Sequence, residues 1–292
     1  MELSVLPAQV EFEAQGDIYL PDGKETNVFR GALGTALRKV CCEPGCPGAR
    51  SCPAASTCVY SRFFEPRWEA GPSGYREAPR PFVLRWKGPT GCVRRGDRFR
   101  AEICLFDVGV SMRESLNRAL ELAGADGLGA SRASAKLIEL NMDSDVLRLA
   151  VKGEHRCGTL RLHFVTPIEL KSGGEILSDP DFGILTHRLL ERVWALGSLY
   201  QNWPAHWDYS DLLDLGRTVR LVSSDWRRRE IVRRSSRTRQ HHSIGGFTGW
   251  AEYDGPVGAF VPLLEIARWT GIGRQTVWGK GEVRVDSVTW TD

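Results

Sequence analysis

Four glycines fall within the eleven residues Gly271-Ile272-Gly273-Arg274-Gln275-Thr276-Val277-Trp278-Gly279-Lys280-Gly281. Glycine takes positive φ angles and lets the backbone approach another molecule closely. Amides so placed can donate to phosphate oxygens or base edges, with Arg274 and Lys280 adding charge. By composition alone, a tight loop leading into a last strand fits equally well. A second run is Arg227-Arg228-Arg229-Glu230-Ile231-Val232-Arg233-Arg234, followed by Arg237 and Arg239. Between Arg217 and His242 nine arginines and no lysine stand against Asp225 and Glu230, a local excess of +7 in a chain whose net charge is +3. Such a concentration is the footprint of a polyanion site, although a solvated charge run has the same composition. Guanidinium forks match phosphate oxygens, and Trp226 beside them offers a ring for an unpaired base. His241 and His242 follow directly; an imidazole titrating near pH ~6.5 is a natural proton carrier, or a stacking and hydrogen-bonding group. Cys42, Cys46, Cys52 and Cys58 are spaced C-x3-C-x5-C-x5-C. Four thiolates on one loop can hold a structural tetrahedral zinc. The close C-x-x-C pairing is missing, so free thiols packing a loop are the competing reading, and Cys41 can replace Cys42.

These residues sit in a chain of ordinary globular composition. Its 292 residues suit two domains of about 150 each, and 42% hydrophobic with 26% charged residues allow a real core. Apolar runs such as Val257–Leu264 are broken by glycine and proline and fall short of a membrane span. Met1–Val5 lacks the basic and apolar regions of an export signal, so a cytoplasmic protein without a membrane partner is expected. Five of the eight cysteines crowd between Cys41 and Cys58, unlike the dispersed cysteines of a secreted disulfide scaffold.

The elements that must position these groups follow from periodicity. Leu3–Phe12 alternates as an opening strand, and Asn27 caps a helix through Phe29, Leu33, Leu37 and Val40. The cysteine-rich stretch 41–58, with its prolines and glycines, reads as a loop. Strands are expected at Pro81–Lys87 and Phe99–Phe106, a helix from Ser111 to Leu122, and a strand at Lys136–Leu140 after the turn Gly124–Ala130. That order, βαββαβ, is a ferredoxin-like (RRM-like) unit. It repeats with strand Thr159–Thr166, helix Asp181–Gln201, strands Thr218–Val222 and Gly246–Tyr253, helix Leu263–Trp269 and a strand around Thr276–Val285. The expected architecture is therefore α+β, two tandem ferredoxin-like domains. The first spans 1–152 with the insertion 41–58; the second spans 153–292 with the arginine segment and the glycine loop 271–281.

Gly-hydrophobic-Gly, five residues, then Gly-x-Gly near the C-terminus resembles the signature loop of the CRISPR-associated RAMP superfamily. Gly245-Gly246-Phe247-Thr248-Gly249, Phe260-Val261-Pro262-Leu263-Leu264 and that loop together resemble its repeat-processing endoribonucleases, the Cas-six family. Phe29-Arg30-Gly31-Ala32-Leu33-Gly34, Cys58-Val59-Tyr60 through Phe64-Glu65-Pro66, and Phe164–Leu170 agree with it. The resemblance implies a metal-independent endoribonuclease that binds CRISPR repeat RNA, with a stem-loop as the target. Cleavage of precursor transcripts into guide RNAs proceeds by attack of a 2′-hydroxyl, leaving a 2′,3′-cyclic phosphate. It implies no catalytic cofactor, and a product-bound enzyme can serve beside other CRISPR effector subunits. The RNA-binding residues would be Arg227, Arg228, Arg229, Arg233, Arg234, Arg237, Arg239, Gly271, Gly273, Arg274, Gln275, Gly279, Lys280 and Gly281, with a further phosphate contact at Gly127–Arg132.

Members of that family often carry a histidine in or near the first helix, and this chain has none before His155; Thr35 stands within that helix. Arg30, Arg38 and Lys39 remain there to stabilise charge on the scissile phosphate, with His241 and His242 as proton carriers, unless the helix charges are merely solvated. An arginine is a poor base, because its pKa is above ~12. The missing histidine favours the alternative of a non-catalytic RNA-binding subunit of a CRISPR effector complex. A zinc-stabilised nucleic-acid adaptor outside this family is the third reading and would need metal to fold.

Overall fold

A computed structural model of the chain describes residues 1–48, 51–68, 78–107, 110–142, 146–234, 241–243 and 245–291. The chain divides into two compact units, Leu6–Leu147 and Arg148–Asp292, the latter taking in Met1–Val5. The first contains β1 (Glu2–Ala14), β2 (Ile18–Leu20), α1 (Glu25–Cys41), α2 (Val59–Phe64), β3 (Phe82–Trp86), β4 (Gly91–Val93), β5 (Arg98–Leu105), α3 (Val110–Asp126) and β6 (Ala135–Met142), before β7 (Leu147–Ala150). Its antiparallel sheet runs β3-β5-β1-β6, the strand order of a ferredoxin-like unit. Along β1, Ala8, Val10 and Phe12 are buried while Gln9, Glu11 and Glu13 turn the other way. Phe12 stacks on Phe99 at 5.4 Å and meets Phe29 of α1 edge-on at 6.0 Å, which seats the first helix on the sheet.

The second unit repeats the pattern with β8 (Gly158–Ile168), β9 (Lys171–Ser172), β10 (Glu175–Ile176), α4 (Phe182–Tyr200), α5 (Ser210–Thr218), β11 (Arg220–Arg229), β12 (Val232–Arg234), β13 (His241–Ser243), β14 (Gly246–Gly255), α6 (Val261–Thr270) and β15 (Val283–Trp290). The sheet order is β11-β14-β8-β15, so both units are ferredoxin-like. Leu160, Leu162 and Phe164 face the core with Ala251, Tyr253, Leu185, Leu189 and Leu263. The Asp181 side chain accepts the Ile184 amide at 2.8 Å and caps α4.

Several boundaries differ from the sequence expectation. Helix α1 begins at Glu25, with Lys24 rather than Asn27 at its cap position. A carboxylate in the first turn suits the helix dipole, and Glu25 also accepts the Gly23 amide at 3.1 Å. The last strand starts at Val283, because Thr276–Trp278 forms a 3-10 turn within the glycine loop. Strand β11 runs on to Arg229, so Arg227–Arg229 is ladder and not loop: Trp226 stacks on Phe247 at 5.0 Å and draws the segment into register with β14. No described helix is long and apolar enough to cross a membrane.

Tyr253 is buried, its hydroxyl donating to the Pro180 carbonyl at 2.7 Å; burial pushes this phenol far up from its usual value. Tyr253→Phe is expected to cost about 1 kcal/mol, seen as a lower denaturant midpoint at unchanged m-value.

Candidate nucleic-acid interface

The loop from α6 to β15 is built on left-handed backbone: φ is 67° at Gly271, 79° at Gly273, 67° at Gln275, 74° at Gly279 and 76° at Gly281. Its amides nevertheless turn inward. Gly271 donates to the Ala267 carbonyl at 2.8 Å, Ile272 to Gly281 at 2.9 Å, Arg274 to Glu169 at 3.2 Å and Gly281 to Pro167 at 3.0 Å. A Cβ on Gly273 would stand 2.5 Å from the Glu169 carbonyl oxygen, and one on Gly281 2.0 Å from that of Ile272. Gly271, Gly279, Lys280 and Gly281 are buried, and Gln275 is half-buried. This corrects the expectation of a loop that lays its amides bare: the glycines permit close docking on the end of β8. Arg274 is the outward cation, 55% exposed and held at 2.5 Å by the Glu169 carboxylate, which is itself 6% exposed. Arg192, buried on α4, donates to the Thr270 carbonyl at 2.9 Å and fixes the loop's entry. Sequence reasoning missed Arg192, since a lone arginine on an apolar helix carries no spacing signal.

The arginine segment stands at the same end of the sheet. Arg228 pairs with Phe247, which pairs with Ile168, the residue against which Gly273 packs; Arg229 pairs with Gly246. Two strand spacings, roughly 10 Å, separate these arginines from the docked loop. Arg227 is 78% exposed, and its Nε and Nη2 both donate to the Asp225 carboxylate at 2.9 Å. That guanidinium holds Asp225 below the usual carboxylate range. Arg228 lies 3.7 Å from Glu230, both well exposed. Ion pairs so solvated are worth only about 0–1 kcal/mol, so a phosphate can displace them. Trp226 does not face outward: it stacks on Phe247 and meets Phe164 edge-on at 4.6 Å. Beyond it the backbone of Arg233 pairs with His242 and that of Arg234 with His241. The side chains of these four, and Arg237 and Arg239 entirely, fall outside the described residues.

The cations of α1 do not converge. Arg30 lies over the Phe64 ring, 5.1 Å from its centroid. That ring also packs on Gly34, where a Cβ would come within 2.7 Å of it, which explains glycine in this turn of the helix. Lys39 pairs with Asp126 of α3 at 2.6 Å. Arg38 is exposed and donates to the Cys46 carbonyl at 2.9 Å. Near it stands Tyr60 of α2, whose hydroxyl donates to Glu65 at 3.4 Å. Burial raises the Tyr60 phenol, Glu65 adds to this, and the Arg38 guanidinium opposes it. The sequence offered Tyr60 only as part of a family motif.

In the cysteine segment Cys42 hydrogen-bonds to both Cys46 and Cys58, and Cys46 also to Cys52. Burial pushes the Cys42 thiol up to about 12, while the Gly48 amide lowers that of Cys46. Among the described residues no group of three or more metal-ligating side chains could hold an ion as it stands. The zinc expectation therefore rests on sequence spacing alone. In the turn Gly127–Arg132 a Cβ on Gly129 would lie 2.4 Å from the Tyr19 carbonyl oxygen and Ser131 donates to the Asp17 carbonyl at 2.9 Å, while Ala130, Ser131 and Arg132 are exposed.

Residues 162–283, which include both the docked loop and the arginine strand, match the family model of the CRISPR-associated endoribonuclease Cas6. These residues are a Cas6-family domain. A family model described as an N-terminal domain matches residues 3–157. Among solved structures, a Cas6 product complex superposes with a TM-score of 0.61 at 16% identity, covering 97% of this chain and 99% of that one. Thermus thermophilus Cas6 gives 0.56 at 13% identity, with 98% and 99% covered. A Cas6-related protein of Pyrococcus furiosus gives 0.53 at 10% identity, with 96% and 98% covered. At these identities the superpositions speak to the fold. No curated protein matches the sequence.

Gly281→Ala places a side chain on left-handed backbone and against the Ile272 carbonyl. It is expected to cost well over about 1 kcal/mol and to lower Tm by about 2–4 °C for each kcal/mol lost. Calorimetry checks this, and Arg274→Ala, which leaves the backbone path intact but strips the buried Glu169 carboxylate of its cation, is expected to lower Tm as well.

Proposed function

We propose that this chain binds CRISPR repeat RNA and cuts it without metal, the 2′-hydroxyl attacking the adjacent phosphate to leave a 2′,3′-cyclic phosphate and a free 5′-hydroxyl. The observation that carries the RNA reading is the exposed Arg227–Arg229 strand beside the docked, Arg274-bearing loop, at one end of one sheet of a Cas6-family domain. Phosphates of an RNA stem are dense along its deep major groove, which side chains cannot read by base edge, so guanidiniums on a protruding strand pair suit them. The arginines keep their charge at every relevant pH, and binding draws on counterion release.

Cleavage needs an in-line arrangement, a cation at the phosphorane and proton transfer at both oxygens. Of the three candidates on α1, Arg38 is the one that is exposed and, among the described residues, held by a backbone carbonyl; Arg30 packs on Phe64 and Lys39 pairs with Asp126. In this reading Arg38 stabilises phosphorane charge. Tyr60, kept protonated by its raised pKa, hydrogen-bonds the leaving 5′ oxygen. His241 and His242 are retained as proton carriers on their place in the sequence. A second reading, an RNA-binding subunit that does not cut, is favoured by the absence of any histidine before His155. The cutting form can remain on its product, and the non-cutting form on its RNA, as part of an effector complex.

Incubation of cognate repeat RNA with the protein in EDTA is expected to give specific cutting and a cyclic-phosphate end; tight binding without product would establish the second reading. Arg38→Ala is expected to slow single-turnover cleavage about 100-fold, the order of one lost charge-stabilising contact, with a much smaller change in Kd. Equal losses of rate and affinity would make Arg38 a binding residue only.

Replacing Arg227, Arg228 and Arg229 together by alanine is expected to lower the slope of log K against log salt by about 2–3. An unchanged slope would remove this strand from the interface.

A further inference from the structure

The carboxyl end of α1 is tied through Arg38 to the segment that follows it. The Arg38 carbonyl accepts the Cys42 amide at 2.9 Å, and the Arg38 guanidinium donates to the Cys46 carbonyl at 2.9 Å. The turn between these two cysteines is tight, with the Cys46 amide donating to the Glu43 carbonyl at 3.1 Å. Within it the two sulfurs meet, the Cys42 thiol donating to that of Cys46. Cys42 has already left helical backbone, with φ −107° and ψ 140°. The helix ladder therefore does not restrain it.

Hydrogen bonds converge on the Cys46 sulfur. It accepts from the Gly48 amide, from Cys42 and from Cys52, and the Arg38 guanidinium favours negative charge there. Donors and a cation around one sulfur favour its thiolate, the form that attacks an electrophile. Cysteines that only pack a structure are buried and inert. Cys104 is of that kind, wholly buried in its sheet. Cys42 and Cys46 are each partly exposed, so a small oxidant reaches them. The same segment has the spacing that suits zinc, yet among the described residues no three ligating groups could hold an ion. A bonded pair of sulfurs needs only two.

We propose that Cys42 and Cys46 are a peroxide-sensitive dithiol whose disulfide closes on the turn that holds Arg38. The Cys46 sulfur attacks one oxygen of hydrogen peroxide and becomes a sulfenic acid. The other oxygen leaves as hydroxide, takes the Cys42 proton and becomes water. The Cys42 thiolate then displaces hydroxide from the sulfenic sulfur, forming the S–S bond, and that hydroxide takes a proton from solvent. In sum, two thiols are oxidised, one peroxide is reduced to two waters, and a reducing dithiol reverses the change. The disulfide removes the anionic sulfur beside Arg38 and keeps the carbonyl that orients it. Guanidinium charge otherwise shared with Cys46 is then free for phosphate. This effect rests on the reading of Arg38 as the cation of cleavage; the chemistry of the pair does not.

The test uses the full chain, reduced, desalted and exposed to hydrogen peroxide, with the remaining thiols then alkylated. Tryptic peptide 40–50 carries Cys41, Cys42 and Cys46. Mass spectrometry is expected to show it two hydrogens lighter and alkylated at Cys41 alone, and alkylated at all three after reduction. Cys42→Ser and Cys46→Ser are each expected to abolish the change, and Cys41→Ser to leave it. Oxidation is expected to speed single-turnover cleavage of repeat RNA by up to about 5-fold, the worth of one solvated ion pair released. The rate of Arg38→Ala is expected not to respond. A link from peptide 40–50 to the peptide bearing Cys52 and Cys58, or no link at all, would overturn the pair. So would thiols that resist peroxide until a chelator strips zinc from the purified protein. A linked protein that cuts at the reduced rate would overturn the coupling to Arg38. A linked protein that binds repeat RNA and never cuts it would instead sink the cleavage reading and leave the dithiol standing.

Discussion

The end of β8 depends on one docking event, the seating of the α6–β15 loop against Pro167, Ile168 and Glu169. Four left-handed glycines allow the approach, the Gly281 and Arg274 amides donate to β8 carbonyls, and the Glu169 carboxylate anchors Arg274 at 2.5 Å. Buried Arg192 holds the loop's first carbonyl. A buried charge is tolerated only where it is paired or hydrogen-bonded, so each anchor also specifies one loop conformation. Ile168 is two strands from Arg228, so the docked loop and the arginine strand share one end of the sheet. The loop thus supports this end of the sheet from within, while placing one cation, Arg274, at its surface.

Charge in this chain is organised by partnership. Arg30 lies on an aromatic ring and Lys39 pairs with an aspartate, whereas Arg38, among the described residues, donates to a backbone carbonyl. On β11 the exposed pairs Arg227–Asp225 and Arg228–Glu230 orient guanidiniums without committing them, since solvated ion pairs are weak. The distribution leaves a nearly neutral protein with two kinds of local cation, one set held in place by its partners and one solvent-exposed and weakly paired.

Much of the architecture was legible in the sequence. The βαββαβ order, written twice, follows from local periodicity, and periodicity survives folding because one face of each strand and helix must be buried. Boundaries were less legible where a tertiary contact moved them. Strand β11 extends seven residues beyond Val222 because Trp226 finds Phe247, and β15 starts after Gly281 because the loop before it is docked. Among site residues, the arginine cluster was visible as composition and the glycine spacing as a motif. Which side of the backbone faced water was not visible: the amides expected outside are inside, and Trp226 packs against Phe247 and Phe164.

The sequence by itself determined the fold class, the two-unit organisation of secondary structure and the concentration of arginine near residue 230, because each is a property of neighbouring residues. Tertiary structure alone decided which cations stay available, which ring packs inward and what the glycines are for. Those outcomes depend on groups far apart in the chain, such as Glu169 with Arg274 and Arg161 with Trp250, that only the register of the sheet brings within a few ångströms.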